Sequence, residues 1–354
     1  MTKKEFLMAI TVKDIASLAG VSPSTVSRVC NSHPSISKET RERVHKAMAE
    51  LGYETNPSPS NTQAAHPIRM IGVVLPPSPR KVYENSFYLE AIRGICQFCN
   101  THQVANTVIT GRDEEEVLRT VKNLVASGML DSLILLYSIQ NDPVEEYLCE
   151  QNLLYVIIGK PNQLQKQTIT IDNDNLLAGR EATDYLYSLG HRRIGYLGCE
   201  SIYTFTFDRK TGYQLSLMQN GITADPDYCL EMDSLLSDGS EELHALLSRK
   251  DRPTAFVVSD DILAVSLKRA CAQLSLSVPE DVSIVAFNNS LFAKLTSPQL
   301  TSVEVNSFQL GYEAVSQAFN HTENPNLMAA KIIVPHRLVV RSSYKALEVN
   351  AAKK

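Results

Sequence analysis

Apolar positions recur at helical spacing three times near the start of the chain, and the pattern then changes to short apolar runs separated by amphipathic stretches. Val12, Ile15, Ala16 and Ala19 share one helical face, with Thr11 as the cap and Asp14 three residues on. Gly20-Val21 supplies a turn. Ser22 is a good N-cap and Pro23 suits the first helical position, so a second helix starts there, with Val26 and Val29 inward and Ser24, Thr25, Ser27 and Arg28 outward. Ser37 caps a third helix, whose Val44, Ala47, Met48 and Leu51 close the core while Lys38, Arg41 and Lys46 face outward. The pattern predicts three short helices around one small core.

From Met70 onward, apolar runs alternate with helical stretches, the signature of parallel sheets covered on both faces. MIGVVLP, VANTVIT, SLILLYS and LLYVIIGK read as successive strands of one lobe. TITID, RIGYLG, TAFVVS and SIVAF read as a second, and the strand after Leu300 with the helix from Phe308 is expected to return to the first. The predicted fold class is a small all-α helix-turn-helix head followed by α/β, two doubly wound lobes. The expected divisions are an extension over 1–10, the head over 11–55, a linker over 56–67, the body over 68–345 and a tail over 346–354. Within the body, lobe one takes about 68–165 and 298–328, and lobe two about 166–297 and 329–345.

The second helix has the properties of a DNA-reading element. Its N-terminal amides attract phosphate, its short hydroxyls allow close approach to base edges, and Arg28 can reach a guanine. Charge is distributed to match. The net charge is −5, yet residues 1–60 hold eight Lys/Arg against six Asp/Glu, a net +2 that leaves −7 for the remainder, so a nucleic-acid surface is confined to the front. Apolar residues at 44% and charged residues at 21% are ordinary for a globular protein. No apolar run approaches a membrane span and Phe6–Ile10 is too short for a signal-peptide core, so a cytoplasmic protein with no membrane partner is expected. Seven scattered cysteines suit reduced thiols. Cys96-Gln-Phe-Cys99 has redox or half-zinc-site spacing, but no second pair follows and both lie inside a predicted helix, so buried small hydrophobes are the expectation.

VKDIASLAGVS, STVSRV, SKETRERV and AMAELGY resemble, almost residue for residue, the N-terminal domain of the LacI/GalR family of bacterial transcription regulators, and the resemblance runs on to about Tyr344. It implies that Pro23, Ser24 and Arg28 read bases while Thr25, Ser27 and Asn31 hold phosphates. It implies a body like a periplasmic sugar-binding protein, two lobes around a cleft, forming a homodimer on double-stranded operator DNA. Within the family, LILLYSIQNDP, VIIGKP, IDNDN and DRKTGY resemble the maltose-operon repressors of Gram-positive bacteria, which implies maltose or a maltodextrin as the effector. Another sugar, a nucleoside or a phosphorylated corepressor protein stays open. The chain departs from the family in NPSPSNTQAAHP (56–67), where relatives carry a leucine-bearing hinge helix and this chain has Pro59 and Thr62.

Ligands of such lobes bind at strand C-terminal ends. Asn85 and Phe87 follow the first strand, Tyr137 the third and Lys160 the fourth. Phe207 and Arg209 lie in the 203–209 stretch, and Asp260 and Asn288 follow later strands. Carboxylates, amides and arginine suit paired sugar hydroxyls, and aromatic faces cover C–H surfaces. Arg209 also matches the family's R-x-x-G-aromatic motif in Arg209-Lys-Thr-Gly212-Tyr213, and a late polar ligand position corresponds to Val305 or Ser307. Asp172 reads as a helix cap rather than a ligand contact. An enzyme is not expected: no phosphate loop, nucleophile elbow or metal-ligand cluster is present, and Asp260-Asp261 at a helix start point apart. No cofactor and no metal are expected.

Overall fold

The computed structural model describes residues 12–30, 36–51, 70–77, 85–162, 168–232 and 241–347. The chain divides into two compact units at Ile68/Arg69. Asn31, the cap position Thr11 and the linker with Pro59 and Thr62 lie outside the described residues.

The first unit consists of α1 (Val12–Ala19), α2 (Pro23–Cys30) and α3 (Lys38–Glu50). Ile15, Ala16, Ala19, Val26, Val29, Val44, Ala47 and Met48 form its buried cluster, with Val21, Ile36 and Leu51 packed against it. The turn closes through the Val21 amide, which donates to the Ala16 carbonyl at 3.0 Å. Ser22 Oγ accepts from the Thr25 amide at 3.1 Å and Ser37 Oγ from the Thr40 amide at 3.3 Å, so both predicted caps form. Val12 differs from expectation. It is 36% exposed, because as the first helical residue it lies outside the packed cluster.

The second unit holds two six-stranded sheets among the described residues. In chain order its elements are β1 (Met70–Val74), α4 (Ser86–His102), β2 (Ala105–Ile109), α5 (Glu114–Ala126), β3 (Ser132–Leu135), α6 (Pro143–Glu150), β4 (Tyr155–Ile158) and β5 (Thr168–Asp172). There follow α7 (Asn175–Ser188), β6 (Ile194–Gly198), α8 (Thr204–Gln219), β7 (Cys229–Glu231), α9 (Glu241–Ser248), β8 (Ala255–Val258), α10 (Asp261–Gln273) and β9 (Ser283–Phe287). The chain ends with α11 (Leu291–Leu295), β10 (Thr301–Glu304), α12 (Ser307–Glu323), β11 (Lys331–Ile333) and β12 (Arg337–Val339).

The first sheet runs β11-β5-β4-β3-β1-β2, with every pair parallel. The second runs β12-β10-β9-β8-β6-β7, with β12 antiparallel on its edge. Successive strand residues face opposite layers, which is why the strands read as unbroken apolar runs. In lobe one, Val73, Ile134 and Val156 pack under α4 and α12, while Val74, Leu135 and Ile157 pack under α5 and α6. Lobe two repeats this, with Phe256 and Ile284 on one face and Val257 and Val285 on the other. No helix among the described residues is long and apolar enough to cross a membrane.

Two strands pair otherwise than the pattern predicts. TITID is β5 of the first sheet, between β11 and β4, and the strand after Leu300 is β10 of the second. Residues 168–172 and 329–333 therefore go with lobe one and 298–304 with lobe two, while the helix from Ser307 does return to lobe one. The chain changes lobes at 173–174, 305–306 and 334–336, and an apolar run on either side of such a crossover can pair in either sheet. All three crossovers meet at one side chain. Asn173, 5% exposed, donates from Nδ2 to the Val305 carbonyl at 3.1 Å and to the Val334 carbonyl at 2.8 Å.

Candidate functional site: a base-reading helix and an inter-lobe cleft

On α2, Pro23, Ser24, Ser27 and Arg28 are exposed and Thr25 is half-buried. Ser22 Oγ lies 2.7 Å from Ser24 Oγ and 2.8 Å from Thr25 Oγ1, so the N-terminal hydroxyls form a cluster around the cap. Arg28 is exposed and makes no ion pair with another described residue.

The body's cleft has a volume of about 550 Å³ with its mouth included, and residues of both lobes line it. Asp260 is one of the lining residues. This residue caps α10 through Oδ1, which accepts from the Ile262 amide at 2.8 Å. Its Oδ2 accepts from Asn288 Nδ2 at 2.7 Å and, across the cleft, from Asn85 Nδ2 at 3.1 Å. Asn85 in turn caps α4 by accepting from the Phe87 amide at 2.9 Å. Two asparagines expected from sequence thus converge on the carboxylate of a third expected residue, because each of the three follows the C-terminal end of a strand that points at the cleft. Burial pushes the Asp260 carboxyl up, while the Ile262 amide, Arg209 and the two asparagines oppose this.

Arg209 is 4% exposed and lines the same cleft. Its Nε donates to Asn175 Oδ1 at 2.9 Å and its Nη1 to the Ser259 carbonyl at 2.6 Å. The guanidinium carbon lies 4.2 Å from the Phe287 ring centre and 4.9 Å from that of Phe205. A guanidinium has five donors, and these contacts use two. Burial pulls its pKa below the usual range, opposed by Tyr196, Asp260, Cys199 and Asp172, and it stays a cation at neutral pH. The position of Arg209 depends on how closely α7 and α8 approach. A Cβ on Gly179 would lie 2.2 Å from the Arg209 carbonyl oxygen, and one on Gly212 would lie 2.1 Å from that of Leu176.

Phe87 and Tyr137 also line the cleft. Lys160 stands at its edge rather than in its lining, where Nζ is 2.5 Å from Oδ2 of Asp208 across the cleft. Phe207 is not part of the site. It is 56% exposed, and Phe205 takes the lining position, because two residues along a helix turn a side chain by roughly 200°. Four residues along, Arg209 shares the Phe205 face.

Asp172 is also placed otherwise than expected. The cap of α7 is Asp174, which accepts from the Leu177 amide at 2.9 Å. Asp172 lines the cleft and its Oδ1 accepts from the Asn173 amide at 2.8 Å and from Asn175 Nδ2 at 2.9 Å. Sequence reasoning passed over Ser138, weighed Asp172 and preferred a cap, and took in Tyr88, Thr204 and Phe205 only as members of the candidate stretches 85–88 and 203–209. Their proximity to strand ends was the available signal. Val305, at the late position of interest, is 1% exposed in the core. The adjacent acids do diverge: Asp261 turns inward to the Ser302 hydroxyl (2.7 Å) and the Ser290 amide (2.6 Å). Cys99 is fully buried and Cys96 half-buried within α4. No group of metal-ligating side chains is found among the described residues.

The arrangement is a hydrogen-bonding cleft with aromatic walls, shared by two lobes, carried on a chain whose front presents a helix-turn-helix surface. Residues 11–56 match bacterial regulatory proteins of the lacI family, and residues 183–344 match a periplasmic binding protein-like domain. The HTH-type transcriptional regulator MalR of Streptococcus pneumoniae is 32% identical over 339 residues, spanning 94% of this chain and 99% of that protein. The chain belongs to the lacI family of bacterial regulatory proteins. Among solved structures, a complex of the transcriptional regulator CelR with cellobiose superposes with a TM-score of 0.72 at 27% identity, covering 95% of this chain and 100% of that one. The lac repressor dimer bound to operator and the anti-inducer ONPF superposes with a TM-score of 0.69 at 25% identity, covering 96% and 100%. Family membership makes the chain a DNA-binding transcription regulator with a helix-turn-helix head and a ligand-binding body of two α/β lobes.

Proposed function

We propose that this protein is a homodimeric, cytoplasmic repressor whose operator affinity is set by a small neutral sugar, maltose or a maltodextrin, held between the lobes. The observation that carries the reading is the convergence of Asn85 and Asn288 on the Asp260 carboxylate beside the buried cation of Arg209. Such a set takes adjacent sugar hydroxyls, while Phe87, Tyr137 and Phe205 cover the apolar face of a ring. Similarity to MalR favours maltose, and the CelR complex supports a disaccharide in a cleft of this kind. Lys160 and Asp208 then act as an inter-lobe tie when the cleft is closed.

In the head, Pro23, Ser24 and Arg28 contact bases, and Thr25, Ser27 and Asn31 contact phosphates. Leu291, Phe292 and Leu295 of α11 are 61%, 38% and 72% exposed, an apolar patch that supports dimerisation, as does similarity to the lac repressor dimer. Sugar binding shifts the population toward a closed body and releases operator DNA.

Calorimetry of the whole protein against maltose, maltotriose, cellobiose, glucose and ribose, alongside a gel shift on its operator, tests the reading. Maltose or maltotriose should bind most tightly and lower operator affinity. Arg209→Ala should retain DNA binding and lose the response. Tightest binding by cellobiose would move the effector to a β-linked disaccharide, and an unchanged response in Arg209→Ala would place the site elsewhere.

A further inference from the structure

Asp172 carries an open hydrogen-bond acceptor in the cleft. It lies at the C-terminal end of β5, at a crossover between the lobes, and is 6% exposed. Oδ1 is fully engaged by the Asn173 amide and Asn175 Nδ2, whereas Oδ2 takes no hydrogen bond from the described residues. Once a ligand displaces water from the lining, a carboxylate oxygen without a donor is costly, so the residue is placed to receive one from whatever occupies the cleft. Asn175 uses its other end on Arg209 Nε at 2.9 Å, which ties the open acceptor of Asp172 and the spare donors of Arg209 into one rigid unit.

We propose that Asp172 is an effector-binding residue that accepts a hydroxyl hydrogen bond and restricts the cleft to uncharged polyhydroxyl ligands, excluding phosphorylated sugars. This rests on the reading of the cleft as a sugar site. A hydroxyl both donates to Asp172 and accepts from Arg209 or Asn288, so adjacent sugar hydroxyls satisfy the wall. The phosphate dianion present at pH 8 has no proton to offer and would meet the carboxylates Asp172 and Asp260 in the lining, with Asp208 already paired to Lys160 at its edge and Arg209 the cation in the lining.

The charged groups facing Asp172 are Asp208 and Arg209 from α8 and Lys160 after β4. Burial, reinforced by Asp208 and opposed by the Asn173 amide, Arg209 and Lys160, pushes its carboxyl up to about 6. Effector affinity should therefore weaken as pH falls through that value. Asp260, also shifted upward, titrates in every variant that retains it, so a difference between wild type and an Asp172 variant isolates Asp172.

The test is calorimetry of the full-length protein with maltose and with maltose 6′-phosphate at pH 8 and pH 5, on wild type and Asp172→Asn. The substitution keeps the Oδ1 acceptor and replaces only the open one. Expected are a loss of about tenfold in maltose affinity at pH 8, a smaller gap at pH 5, and weaker discrimination against the phosphate ester in the variant. Equal maltose affinity of the two proteins at pH 8 overturns the inference. Wild type that binds none of the sugars overturns the sugar reading and this inference together, a different result. Should Asp172→Asn melt early, Asp172→Ser takes its place in the same comparison: a loss of maltose affinity at pH 8 that shrinks at pH 5 supports the assignment, and wild-type affinity at pH 8 defeats it.

Discussion

Asn173 offers the sharpest test of how the body is held together. Its Nδ2 is the donor to two crossovers, at 3.1 and 2.8 Å, and its own backbone is the third. Asn173→Ala removes both bonds and leaves the carbonyls of Val305 and Val334 short of a partner in a region where those residues are 1% and 5% exposed. At about 1 kcal/mol net per bond, and more where an acceptor stays unsatisfied, the loss comes to roughly 2–4 kcal/mol. Asn173→Asp is the informative companion. It preserves shape but turns the donor into an acceptor facing two carbonyls, so it should destabilise at least as much as alanine. The chain has no tryptophan, so urea unfolding is followed by far-ultraviolet circular dichroism. Amide exchange localises the effect, because the Val334 amide donates to the Asp172 carbonyl at 2.8 Å and should open early. Wild-type stability and exchange in Asn173→Asp would refute the clamp, since the donor would then carry nothing.

Arg28→Ala should cost about 1–3 kcal/mol on the specific operator and relax preference at one base pair, read by a binding screen over operator variants; unchanged discrimination defeats the base-reading role. Gly179→Ala should force α7 from α8, costing about 1–3 kcal/mol and weakening maltose binding through displacement of Arg209. A melting curve and titration like those of wild type would show that the helices have room. Asp261 is fully buried and its carboxyl is pushed up to about 7 by desolvation, eased by Ser302 and raised further by Asp260. A folded-state value above the unfolded one gives a contribution present at low pH and lost as pH rises through 7. Wild type should therefore gain melting temperature relative to Asp261→Asn as pH falls from 8 to 5, and a constant difference would show that Asp261 does not titrate there.

Much of this protein was legible in the chain because the relevant information is local. Helical spacing of Ile15, Ala16, Ala19, Val26 and Val29, with Ser22 and Ser37 as caps, dictates the head, and each of those contacts spans a turn or one short loop. Asn85, Tyr137, Arg209, Asp260 and Asn288 were likewise accessible, since a parallel sheet gathers its strand ends on one side whichever strand neighbours which. Neighbour choice was not accessible. An apolar run such as TITID is equally content in either sheet, and only pairing with β4 and β11 put it in lobe one. Phe205 and Phe207 differ by the phase of one helix, and Asp172 and Asp174 by which carboxylate meets the end of α7, and docking settled both. The Asn173 clamp is the clearest case. Its partners lie 132 and 161 residues away, and no local preference encodes a hydrogen bond between segments that meet only once both lobes have folded.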